Sequence, residues 1–160
     1  MKPTVQQMID ASQQALRDYV APTVTDQWAA SALRSVDVIL SHLLARVAGE
    51  GPMLFEDNAD LAETLAAASA SGLAADGIAS RIDDFRTRQS DLSIGYPAVD
   101  QLLDLNLVGR TLVDELLVAC HARKGAAQAD DLHARLRAYL DRHLERERAY
   151  FFPVYVGRPV

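Results

Sequence analysis

Apolar positions recur along most of this chain at steps of three and four residues, the period of helices that turn one face inward. Val5, Ile9, Ser12, Leu16 and Val20 mark a first helix, opened by Pro3 and Thr4 and limited by Pro22. Thr25 is the expected N-cap of a second, from Asp26 to Ala48, with Ala29, Leu33, Val36, Leu40, Leu43 and Val47 as its core stripe. Gly49 and the Gly51-Pro52 pair are expected to stop it. A third helix, Phe55 to Ser71, begins with Glu56 and Asp57, whose charges suit a helix N-terminus. Its small side chains from Ala66 to Ser71 suit close approach of a neighbouring helix or leave room for a ligand.

Past Gly72 the pattern predicts a short helix from Ala75 to Arg88, with Ile78, Ile82 and Phe85 on one face, then a loop from Ser90 to Pro97. The next helix, Pro97 to about His121, is apolar on more than one side, as expected of a central helix touched by several partners. After Lys124-Gly125 the last helix runs from Gln128 to Phe151, with Leu132, Leu136, Leu140 and Leu144 inward. The elements predict an all-α protein: an up-and-down bundle of four main helices with one or two additional short ones. Residues 1–152 are expected to form one domain. Residues 153–160 form an aromatic tail packed on the bundle or on a partner subunit.

Composition narrows the function classes. With 49% apolar residues the 160-residue chain can build a sizeable core. Its formal charge of −6, with only two lysines and dispersed arginines, argues against a nucleic-acid partner. The single cysteine, Cys120, excludes an internal disulfide and reads as a small buried apolar side chain. The N-terminus turns polar where a signal peptide would continue apolar, and no uncharged apolar run reaches membrane-spanning length. No membrane role and a cytoplasmic location are the resulting expectations.

Candidate chemistry is sparse. His143 and Glu147 share a helix face and, with His42, are the candidate metal ligands; Asp130 and His133 imitate the acid-x-x-histidine spacing of di-iron bundles only once. The bland reading of His143 and Glu147 is an ionic or hydrogen-bonded pair, and no cofactor is predicted. Asn106 and Arg110 interrupt the most apolar helix and are the candidate anchors for an acidic ligand in an inter-helix pocket. Trp28, Tyr150, Phe151, Phe152 and Tyr155 are candidate interface residues, since aromatic anchors are common between subunits. They favour a homodimer or another protein partner.

The stretches Ala15-Leu16-Arg17-Asp18-Tyr19-Val20-Ala21-Pro22, Ala32-Leu33-Arg34-Ser35-Val36, His42-Leu43-Leu44 and Asp57-Asn58-Ala59-Asp60-Leu61 together resemble a family of small helical proteins of unknown function. Members are often encoded beside phosphotransferase-like proteins and acyl-CoA dehydrogenases. The resemblance implies an accessory role, linked to acyl or coenzyme A metabolism, and brings no catalytic residues. Within it, Asp57-Asn58 is the part that helical periodicity explains least; a cap or an inter-helix hydrogen bond is its simplest role. The leading expectation is a non-catalytic accessory or interaction bundle. An acidic-ligand protein or enzyme at Asn106 and Arg110, and a metal enzyme at His143 and Glu147, are the alternatives.

Overall fold

The computed structural model describes the backbone of residues 2–74 and 76–156, and the side chains of these apart from residues 48, 76 and 149–156. The fold is all-α. Helix α1 spans Val5–Ala15, α2 Gln27–Ala70, α3 Asp76–Ser93, α4 Val99–Ala122 and α5 Ala127–Val156. Helix α2 has two arms, Gln27–Val47 and Gly49–Ala70. Among the described residues there are therefore six α-helical segments, the shortest being α1 with 11 residues. This corrects the expectation of four main helices with one or two short ones. The segment expected to be short, α3, has 18 residues and runs on through the predicted loop to Ser93. Its inward Ile82 and Phe85 are fully buried, which anchors it as firmly as its longer neighbours.

Local chemistry explains where elements start. Thr4 accepts from the Gln7 backbone amide at 3.2 Å while the Gln7 side chain accepts from the Thr4 amide at 2.9 Å, a capping box that opens α1. Pro22 has no backbone N–H to donate, and around it the chain after Ala15 passes through a π turn, Leu16–Val20, and a 3-10 turn, Ala21–Thr23. Asp26, not Thr25, caps α2, accepting from the Ala29 amide at 2.7 Å. The expected stop at Gly49 and Gly51-Pro52 is absent: helical backbone continues through Pro52, at the cost of the one hydrogen bond proline cannot donate.

The backbone groups into two compact units, residues 1–50 with 147–160, and residues 51–146. In the first, α1 is tied to the first arm of α2 through polar groups. Gln13 Nε2 lies 2.8 Å from Ser41 Oγ and 3.1 Å from Asp37 Oδ1, and Arg17 Nη2 donates to Asp37 at 3.0 Å. Leu44 is buried, but Val36, Leu43 and Val47 of the expected core stripe are 43%, 46% and 53% exposed. These three positions are patterned for burial, and the described residues leave them exposed.

The second unit holds the main core. The second arm of α2 supplies Leu61 and Leu65, α3 Ile82 and Phe85, α4 Leu105, Leu112 and Leu116, and α5 Leu132 and Leu136. Leu144, expected inward, is instead 60% exposed, because Tyr139 and His143 take the inward positions of that stretch of α5. Among the described residues, no single helix is long and apolar enough to cross a membrane.

Candidate functional site

The most concentrated chemistry lies inside the second unit, where three helices meet around Asp57. This carboxylate is 1% exposed. A buried acid is costly unless it is ionised against donors or neutral in an apolar pocket, and here donors converge on it. Asn106 Nδ2 of α4 donates to Oδ2 at 2.7 Å, and the Tyr139 hydroxyl of α5 donates to the same oxygen at 3.0 Å. On Oδ1, Arg146 donates through Nε at 3.0 Å and Nη2 at 2.6 Å, and His143 Nδ1 lies at 3.1 Å.

Burial alone would push the Asp57 carboxyl up. The hydrogen bonds from His143, Asn106 and Arg146 together outweigh it and hold the group far below the ordinary carboxylate range. An ionised carboxylate only accepts, so His143 carries a proton on Nδ1. Burial and the Asp57 charge raise the Tyr139 hydroxyl, which therefore stays a neutral donor. Its ring stacks on that of His143, with centroids 5.9 Å apart.

A second layer continues outward. Asn58 is fully buried beside Asp57; its Nδ2 donates to the Leu102 carbonyl at 2.9 Å and its Oδ1 accepts from Asn106 at 3.0 Å. Asp60, one turn along α2, accepts from Arg146 Nη2 at 2.7 Å and from Arg142 Nε at 2.9 Å. Burial works against the Asp60 charge, and Arg142 and Arg146 overcome it, so this carboxyl too is lowered.

The arrangement is suited to holding helices together. A general base needs a lone pair turned toward a substrate, whereas both oxygens of Asp57 already accept from protein donors. The three helices contribute Asp57, Asn58 and Asp60 from α2, Asn106 from α4, and Tyr139, Arg142, His143 and Arg146 from α5. Beside the network the packing is close. A Cβ built on Gly109 would stand 2.7 Å from Phe85 Cε2 and 2.8 Å from Leu61 Cδ1.

The structure separates several residues that the sequence groups. Asn106 is buried and bonded to Asp57 and Asn58, while Arg110, one turn on, is exposed. A surface groove lies elsewhere, lined by Asp83, Arg86, Thr87, Ser90 and Asp91 of α3. His143 faces Asp57; Glu147 and His42 fall in the first unit, both half-buried. Among the described residues, no group of three or more histidine, cysteine or acidic side chains is placed to hold a metal ion. Trp28 is 83% exposed. The side chains of Tyr150, Phe151, Phe152 and Tyr155 lie outside the described residues.

Asp57-Asn58, read from sequence as a cap or an inter-helix hydrogen bond, proves to be the inter-helix case and the centre of the network. Sequence reasoning did not link it to Tyr139, Arg142 and Arg146. The available signal was the recurrence of Tyr139, His143 and Arg146 at steps of four and three along the inward line of α5. Compared with known proteins, the chain matches no family model, no curated protein and no solved structure.

Proposed function

We propose that this protein is a non-catalytic helical interaction module that acts as a self-associated species. The observation carrying this reading is the exposed apolar stripe on the first arm of α2. Trp28, Ala32, Val36, Ile39, Leu43 and Val47 lie within an arc of about 100° on an α-helix. All six are exposed, Ile39 at 57% and Trp28 at 83%. The polar contacts to α1 come from Asp37 and Ser41, on the other side of the arm. A contiguous apolar face of this kind marks an interaction site more often than a free surface.

The Asp57 network supports the non-catalytic half of the reading. It uses the buried Asp57, Tyr139 and His143 of the second unit to pin α2, α4 and α5. An accessory role of the kind the family resemblance implies needs no more chemistry than this.

Light scattering on the eluting protein tests the reading. The 17.5 kDa chain is expected to run at a multiple of that mass at high micromolar concentration. The double variant Ile39→Asp/Leu43→Asp is expected to run as a monomer with unchanged helical circular dichroism. A wild-type monomer across that range would overturn the reading.

A further inference from the structure

We infer that the first arm of α2 pairs antiparallel with the same arm of a second copy, about a two-fold axis between Asp37 and Val38. The inference rests on the proposed self-association and specifies its geometry. The argument starts from the order of side-chain sizes along the stripe. An antiparallel pair about that centre sets each residue opposite the one whose number brings the sum to about 75. Val36 then meets the partner's Ile39, Ala32 meets the partner's Leu43, and Trp28 meets the partner's Val47.

Those pairings are complementary in volume. The small Ala32 leaves room for a leucine, and the two β-branched residues at the middle are of similar size. A two-fold interface demands this self-complementarity, because each contact occurs twice with the roles exchanged. In a parallel pair, Trp28 would face Trp28 and Ala32 would face Ala32, alternating overpacked and empty layers.

Charge points the same way. Arg46 lies five turns from Trp28 on the same line of the helix, and its side chain is half exposed. In the antiparallel pair its guanidinium reaches the face of the partner's Trp28, a cation–π contact formed once at each end of the seam. In a parallel pair the Arg46 side chains of the two copies would face each other. The Arg46 pairing with Glu50 at 2.9 Å lies within the same helix and holds the guanidinium at that end.

Spin labels at single cysteines test the direction. The natural Cys120 is buried and is replaced by alanine, with light scattering confirming that this background keeps the wild-type mass. Gln27→Cys and Arg34→Cys place labels on exposed positions that share one line of the helix outside the stripe. The antiparallel pair predicts a separation along the helix axis that grows by about 3 Å per residue away from the two-fold, twice the helical rise. Labels at 27 should therefore lie about 21 Å farther apart along that axis than labels at 34, and the measured distance at 27 should be the longer. Equal distances at the two positions in a dimer would overturn the antiparallel geometry and leave self-association standing. A dimer with no measurable inter-label distance at 34 would place the interface elsewhere, with the same consequence. A monomer would remove both the geometry and the reading on which it rests.

Trp28 supplies a second readout, because it is the only tryptophan. Its emission should shift to the red when the dimer is diluted to monomer. Arg46→Ala removes a cation–π contact at each end of the seam and should weaken the dimer by about tenfold, while Arg46→Lys retains most of the affinity. An emission unchanged by dilution through the dimer-to-monomer transition would overturn the placement of Trp28 in the seam.

Discussion

At the scale of single residues, Asp57 is the side chain on which most depends. Replacing it by asparagine removes the negative charge that Arg146 faces and reverses one of the bonds it accepts. Breaking a buried pair from one side costs about 3–5 kcal/mol, and Asp57→Asn is expected to lose that much in urea unfolding at neutral pH. The pH dependence carries its own sign. The folded-state carboxyl lies below its ordinary value of 3.8, so the stability it contributes is whole above that value and is lost as pH falls below it. Asp60 adds to the loss in the same direction. Urea midpoints measured from pH 7 down to pH 2 should fall steeply in the acid range for the wild type and less steeply for Asp57→Asn. At the same scale, Cys120 is buried and burial raises its thiol. A thiol reagent should therefore label it slowly in the native protein and at once in denaturant.

Helical elements show how one residue type takes opposite signs. Gly51 and Gly109 both lie inside helices, where alanine is ordinarily better by about 0.5–1 kcal/mol. A Cβ at Gly51 would meet Val99 Cγ2 at 3.6 Å, an ordinary contact, so Gly51→Ala should raise stability by about that amount. At Gly109 the new methyl would collide with Phe85 and Leu61, both fully buried. Gly109→Ala should therefore destabilise by about 1–3 kcal/mol despite the better propensity. Thermal melts of the two variants, run side by side, check both signs. Gly109 lets α4 approach α2 and α3 closely, three residues past Asn106, and so keeps Asn106 within reach of Asp57.

For the whole molecule, the two units divide labour. Residues 51–146 hold the main core and the Asp57 network, whereas the exposed apolar stripe belongs to residues 1–50. A self-associating protein is stabilised by mass action, so its melting temperature should rise with protein concentration. The wild type should show that rise, and Ile39→Asp/Leu43→Asp should not. A melting temperature independent of concentration in the wild type would contradict self-association through folded monomers.

Much of the local structure was legible in the sequence because it depends on neighbours three or four residues away. The all-α class, the inward line of α3, the inward Leu132 and Leu136 of α5, and the buried Cys120 all follow from helical period and composition. So did the oddity of Asp57-Asn58, two polar residues where packing offered no use for them. Where local rules compete, the outcome was not legible. Gly51-Pro52 reads as a stop, yet the helix continues through it. Val36, Leu43 and Val47 read as core, and their exposure depends on what α1 covers, which period cannot state. The network lay furthest from view. Asp57 and Arg146 are 89 residues apart, and no local preference says that their helices meet. A sequence sets the cost of burying a charge; only the packing of helices brings the donors that offset it.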